Sequence, residues 1–290
     1  MDRADRKATS AGHWGRFALA GAAGMAVLDA VVVEPSRLAV RRLDVPVRDD
    51  ARRLAGLKLA HLSDLHVGAC GWRPGTMKKA MDRCNREDVD LIAITGDFIG
   101  SGQGVTAAME ILSALRTDVP RLAVLGNHDH VYGERALDAL LVGLDTLGIA
   151  VLRNRSMSLD LALGRVWFVG VDDGYSMRDD LKLAVSGLCP EDFPRVLLTH
   201  YPDVAERVRR GDFQLTLAGH SHGGQIRVPV LAKLVYNGHA RTRYGCGLYM
   251  PNENPLHVSP GLGMSGVPMR FRNPPELTVL RLVPGRDAAR

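Results

Sequence analysis

From residue 57 onward, short apolar runs alternate with amphipathic stretches. Leu57–Leu62, Val89–Thr95, Arg121–Leu125 and Ile149–Leu152 read as strands, being brief, rich in branched side chains and bounded by turn formers. Between them, Pro74–Glu87 with its leading proline, Thr106–Arg116 and Glu134–Leu147 read as helices. Strand and helix in turn mean βαβ units and a largely parallel sheet. Past residue 155 the rhythm changes. Ser156–Leu161, Arg165–Val171, Arg195–Thr199, Gln214–Ala218, Leu256–Ser259 and Glu276–Leu282 are strands with fewer helices between them. A second sheet packed on the first accommodates them.

Upstream, Phe17 to Val33 is apolar apart from Asp29. As a helix it would span about 26 Å, a little short of a hydrocarbon core of about 30 Å. The run ends in Val-Val-Val-Glu34-Pro35, with no small residues to mark a cleavage site. The reading is an uncleaved anchor or membrane-surface helix, with a buried helix as the alternative. Six flanking arginines from Arg37 to Arg53, against four basic residues before the run, place the rest of the chain on the cytoplasmic side of an inner membrane. Residues 1–56 are thus read as an N-terminal segment, helix 17–33 plus a charged connector, and residues 57–290 as one domain.

The charge balance adds a limit. The 37 basic and 32 acidic side chains leave a formal charge of +5. The excess lies in the two flanks, and residues 54–240 sum to −2. No clustered basic face for nucleic acid exists. The 290 residues suffice for a full core, and the four cysteines, Cys70, Cys84, Cys189 and Cys246, are far apart and read as free thiols.

Chemistry enters where polar residues follow the strands. Asp64-Leu65-His66, Gly96-Asp97, Gly126-Asn127-His128-Asp129, His200 and Gly219-His220-Ser221-His222 each stand just past a strand end, where α/β sheets place their sites. Any one of these fragments is explained by a turn or a cap. Five of them converging on one sheet edge are not. Mixed imidazole, carboxylate and amide donors suit manganese, iron or zinc better than calcium. Two divalent ions match the number of ligands, and they lower the pKa of bound water to supply hydroxide at neutral pH. That is hydrolase chemistry on an anionic substrate.

The order D-x-H, G-D, G-N-H-D, H, G-H-x-H over residues 64–222 resembles the calcineurin-like metallophosphoesterase superfamily. The resemblance implies a four-layer α/β/β/α sandwich of two mixed sheets, with a dinuclear metal site at the C-terminal ends of the strands. It implies that Asp64, His66 and His222 hold one ion, that Asn127, His200 and His220 hold the other, and that Asp97 bridges them. It makes His128 the group that stabilises the transition state or protonates the leaving oxygen, with Asp129 orienting its ring. Manganese is the first choice of metal, with iron or zinc behind it. The stretch from Gly219 to Pro229, Tyr244-Gly245 with Gly247-Leu248-Tyr249, Val258–Gly263 and Arg270–Glu276 are similar to a bacterial membrane-associated subgroup. That subgroup includes LpxG-type UDP-2,3-diacylglucosamine pyrophosphatases of lipid A synthesis.

The expected function is therefore two-metal hydrolysis of a phosphoester or phosphoanhydride. UDP-2,3-diacylglucosamine, a lipid-linked nucleotide sugar, is the specific substrate in view, and a general phosphodiesterase on nucleotides is the alternative. A scaffold that uses metal for structure alone is the reading from another class. His61 is expected to support the ligands from behind, and His130 to lie on the rim. Arg227, Arg241, Arg243, Arg270 and Arg272 are candidates for gripping a second phosphate, with solvated surface charge as the competing account. Tyr236, Tyr244 and Tyr249 suit a loop over a pocket or simple packing.

Overall fold

A computed structural model describes residues 20–228 and 240–285. Two six-stranded mixed sheets stack face to face. In the first, β2 (Lys58–Leu62), β3 (Leu91–Thr95), β4 (Arg121–Val124) and β5 (Ala150–Val151) run parallel. Beyond β2 the sheet continues through the antiparallel β12 (Glu276–Pro284) to the edge strand β1 (Ala39–Val47). In the second sheet, β7 (Gly164–Gly170), β8 (Arg195–Leu198), β9 (Leu215–Ala218) and β11 (Leu256–Val258) are parallel. Antiparallel β6 (Arg155–Leu161) and β10 (Gly247–Tyr249) close its two edges.

Period-two burial explains the stacking. Leu59, Leu91, Ala93 and Val124 on one inner face meet Phe168, Val196, Leu198, Leu215 and Leu217 on the other, all buried. The outer face of the first sheet is covered by α1 (Pro74–Cys84), α2 (Val105–Leu112) and α3 (Glu134–Thr146). In α1, Met77, Ala80, Met81 and Cys84 recur at helical spacing and are buried. A short helix, Leu181–Val185, and a 3-10 helix, Pro202–Arg207, cover the second sheet. The expected four-layer sandwich is present. The four cysteines are free.

Two parts of the N-terminal reading change. Residues 34–56 were expected to be a charged connector, but β1 lies within them and pairs with β12 from Ala39↔Glu276 to Val47↔Pro284. Its charged residues face outward, where Asp44 pairs with Arg281, while Val45 and Val47 enter the inter-sheet core. Charge and a proline on an edge strand limit unwanted pairing, so the pattern that reads as a connector also suits a sheet edge.

The inner-membrane placement is the second change. Residues 17–19 lie outside the described residues; residues 20–28 are helical and continue into a π-helical turn, Asp29–Val33. Among the described residues no helix is long and apolar enough to cross a membrane. The C-terminal end of this segment docks on the domain. Arg270 N–H donates to Ala30 O at 2.8 Å, Arg73 to Val31 O at 2.6 Å, and Thr76 to Pro35 O at 3.2 Å. Glu34 and Pro35 are buried there, so the residues read as the exit from an anchor belong to the domain surface.

Candidate metal centre

The loops that follow the parallel strands are laced together by their backbones. Asp64 N–H donates to Gly96 O, His66 N–H to Asp97 O, and Gly219 N–H to His200 O. The chain must turn sharply at these points to aim side chains inward. Asp64, His66, Asp97, His220 and His222 accordingly have φ between +46° and +72°. Non-glycine residues occupy that region at a cost of about 1–3 kcal/mol each, and such residues gather at functional sites. The closeness also explains a glycine. A Cβ at Gly126 would stand 2.2 Å from Asp97 Oδ1, so the third loop passes Asp97 only without a side chain.

All seven expected ligand positions meet in this space. Asp97 Oδ2 lies 3.2 Å from His66 Nε2 and 3.3 Å from His200 Nε2. His222 Nε2 stands 3.0 Å from His66 Nε2 and 3.5 Å from Asp64 Oδ1. His220 Nδ1 is 3.0 Å from Asn127 Oδ1 and 3.2 Å from His200 Nε2. Two carbonyls set ring tautomers. His200 Nδ1–H donates to Thr95 O at 2.7 Å and His220 Nε2–H to Ala240 O at 2.9 Å. The other nitrogen of each ring is thereby turned toward the cluster, as a metal ligand requires.

Electrostatics follow from burial. Burial raises the Asp64 carboxyl above its usual range. Burial acts the same way on Asp97, but the neighbouring His200 and His66 outweigh it and hold this carboxyl well below. His200 would be depressed by burial, yet Asp97 lifts it to about 10. His220 is pushed down to about 3 by burial and by His200, and burial beside His66 holds His222 well below its ordinary value.

The donor set fits divalent metal ions. Asp64–His66–His222, His66–Asp97–His128 and Asp64–Asp97–His200 each present ligand atoms within 4.8 Å of one another. Nδ1 of His66 and Nδ1 of His222 are buried without a hydrogen-bond partner, an arrangement a protein sustains only for a reason.

The remaining candidates separate clearly. His128 lines the adjoining cavity, its N–H donating to Asp97 Oδ1 at 2.9 Å, with Tyr132 Oη at 3.5 Å and Ser265 Oγ at 3.4 Å from its ring nitrogens. Asp129 was expected to orient that ring. Its carboxylate instead accepts from the backbone N–H groups of Asp97, Phe98, Ile99 and Gly126, and no hydrogen bond among the described residues joins it to the His128 imidazole. It shapes the ligand loops. His130 bonds Asp172 at 2.7 Å.

The arginines form no fork. Arg270 is wholly buried and donates only to backbone carbonyls, while Arg227, Arg241, Arg243 and Arg272 are exposed. Tyr244 bonds Glu206 and meets Tyr249 edge to face with centroids 5.0 Å apart; Tyr236 lies outside the described residues.

One polar chain was missed in the sequence. His257 on β11 meets His61 on β2 at 2.9 Å between the sheets. His61 reaches Thr95 Oγ1 at 2.8 Å, Thr95 Oγ1 donates to Ser63 Oγ at 2.8 Å, and Ser63 donates to Asp64 Oδ2 at 2.6 Å. His257 sits inside an apolar strand with no motif around it, so only the pairing of the two sheets reveals it.

A buried cluster of histidines and aspartates at the ends of parallel strands, on a four-layer sandwich, defines a metal-dependent hydrolase. The chain belongs to the calcineurin-like phosphoesterase family, whose profile matches residues 57–224. It is 30% identical over 243 residues to the uncharacterized metallophosphoesterase YkoQ of Bacillus subtilis, an alignment covering 82% of this chain and 88% of that one. A second Bacillus subtilis metallophosphoesterase, YkuE, is 32% identical over 78% of this chain and 79% of its own. Phosphodiesterase YaeI of Escherichia coli is 29% identical, with 79% of this chain and 83% of that one covered.

Proposed function

We propose that the protein is a two-metal phosphodiesterase. The observation that carries this reading is the continuous contact from Asp64, His66 and His222 through Asp97 to His200, His220 and Asn127. Asp64, His66 and His222 would hold one ion and Asn127, His200 and His220 the other, with Asp97 between them. Manganese suits this mixed nitrogen and oxygen set, as do iron and zinc. When bound, such a pair supplies Lewis acidity and an ionised water at neutral pH.

The chain's own groups do the rest. His128 stands over the cavity beside Asp97, and burial holds its imidazole below the ordinary range, so it is neutral at pH 7. A neutral ring carries one N–H, available as a hydrogen-bond donor to the charge that develops on a phosphoryl oxygen. Ser265 and Tyr132 fix the ring from either side. Asp129 holds the loops after β3 and β4 together through four backbone N–H groups, keeping Asp97 and Asn127 in register.

UDP-2,3-diacylglucosamine is a second reading, favoured by the apolar residues Ile226, Ala240 and Val267 beside the cluster. Against it, no lysine or arginine among the described residues lines the cavity to receive a second phosphate. The test offers the manganese-loaded protein bis(p-nitrophenyl) phosphate and UDP-2,3-diacylglucosamine separately and identifies products by mass. Cleavage of the diester alone supports the phosphodiesterase; UMP from the nucleotide sugar moves the assignment to the diphosphatase. Cleavage of neither leaves the metal-stabilised scaffold, for which Asn127→Ala would impair folding rather than turnover.

A further inference from the structure

Beside the cluster lies a cavity of about 450 Å³, large enough for a phosphoryl group and one bulky substituent. Its floor is His128, His220 and His222 with Asp97 and Asn127. Its wall is Tyr175, Ile226, Ala240, Gly266 and Val267, none of them charged.

The part of the wall formed by residues 265–267 is held unusually firmly. The Gln225 side chain pairs with that stretch as a strand would, accepting from Ser265 N–H at 2.9 Å and donating to Val267 O at 2.6 Å. Arg270 closes the base of the loop, reaching Gly263 O at 2.5 Å and Asn273 O at 3.0 Å. Upstream, Leu262 N–H donates to Ser63 O at 3.0 Å and Gly263 N–H to Asp64 O at 2.6 Å, so the loop is tied to the backbone that presents Asp64. Ser265 Oγ then stands 3.4 Å from His128 Nε2. A rigid mount of this kind gives a side chain a defined place relative to the reacting group. The side chain so mounted at the cavity is Val267, 49% exposed.

An exposed valine on a clamped loop, beside the histidines of the floor and on a wall whose described residues are uncharged, recognises an apolar group. Among the described residues the wall offers no cation to a second anion, whose desolvation would go uncompensated. We propose that Val267 is a specificity-determining residue that selects phosphoesters bearing an uncharged apolar substituent over those bearing a further anionic group. The proposal deepens, and rests on, the phosphodiesterase reading of the same site.

The test is calorimetric binding of phenylphosphonate, methylphosphonate and 4-carboxyphenylphosphonate to the full-length manganese-loaded protein, with bis(p-nitrophenyl) phosphate hydrolysis measured in parallel. Phenylphosphonate is expected to bind roughly tenfold more tightly than methylphosphonate, because the two differ only in the apolar group. The carboxylated ring is expected to lose most of that advantage. Val267→Asn should compress the phenyl-to-methyl ratio toward one, and Val267→Arg should restore binding of the carboxylated ring. Val142→Arg, at an exposed position on α3, should change neither ratio. Equal affinities in the parent protein, no binding of either phosphonate, or a ratio untouched by Val267→Asn would overturn the proposal. Selective binding without hydrolysis would remove the phosphodiesterase reading and leave the subsite; hydrolysis without selectivity would do the reverse.

Discussion

The Nε2 atoms of His66 and His222 lie 3.0 Å apart, and Nδ1 of each ring is buried with no partner. The two imidazoles share at most one hydrogen bond along that contact, and both Nδ1 atoms go without one, so the pair is undersatisfied as it stands. A cation held between the two Nε2 atoms takes their lone pairs in place of that single hydrogen bond. Divalent metal is therefore expected to stabilise the fold in a concentration-dependent way, by about 2.7 kcal/mol at a hundredfold excess over Kd. Thermal melts across a manganese series, with and without chelator, check this. His222→Ala should shrink the metal-induced rise in Tm, and an unchanged rise would contradict the assignment.

Gly126 and Asp97 make a steric prediction. Gly126→Ala would place a methyl 2.2 Å from Asp97 Oδ1 and 2.6 Å from Asp97 N. The loops after β3 and β4 would have to part, moving Asp97 and Asn127 out of contact with the histidines. Metal content by elemental analysis is expected to fall while far-ultraviolet circular dichroism stays native.

The proposed role of His128 is catalysis, not metal binding. It lines the cavity and its ring contacts Ser265 and Tyr132. His128→Ala is expected to lower kcat by roughly a hundredfold to a thousandfold, the usual range for removing one preorganised donor to the developing charge. The KM for the diester and the bound metal per chain should change little. A matching loss of metal would instead make His128 a ligand, as its place in one of the three candidate groups allows.

The paired His61 and His257 predict an acid sensitivity. Burial, with Arg41 adding to it, pushes His257 down to about 3, and burial beside His257 holds His61 well below its ordinary value. The unfolded chain binds protons near pH 6.5 that the folded chain refuses. Their contribution to stability is thus complete above about pH 6.5 and declines as pH falls toward 3, by about 1.4 kcal/mol per pH unit for each histidine. His257→Gln is expected to cost stability at neutral pH through the lost contact with His61, while flattening the acid decline. Urea midpoints between pH 7.5 and 5 measure both; parallel curves for the two proteins would contradict the account.

That the seven proposed ligand positions come together could be read in the sequence because each lies directly after an apolar run, and strand ends have fixed places in α/β sheets. The two-sheet core was legible for the same reason. Strand β1 was not, because Arg41, Arg42 and Asp44 hide its alternation and its buried residues, Val45 and Val47, come only at its end. Strand β10, three residues long, is too short for a pattern. The clamp on residues 265–267 depends on Gln225, forty positions away, and the His61–His257 contact depends on one sheet stacking on the other. Such relationships exist only in three dimensions. The apolar run before Glu34 shows the opposite error: its composition suits a membrane helix, while its C-terminal end is bound to Arg73, Thr76 and Arg270.

The central claim is that this cluster holds two divalent ions and uses them to cleave phosphodiesters. Metal-free protein would be titrated with manganese while bound metal per chain and hydrolysis of bis(p-nitrophenyl) phosphate are followed together, alongside Asp97→Asn. The account predicts that turnover rises as occupancy approaches two ions per chain, and that Asp97→Asn, which weakens the link between the two halves of the site, is slower by about a hundredfold or more. Turnover that is complete without metal, or that survives intact in Asp97→Asn, would contradict it.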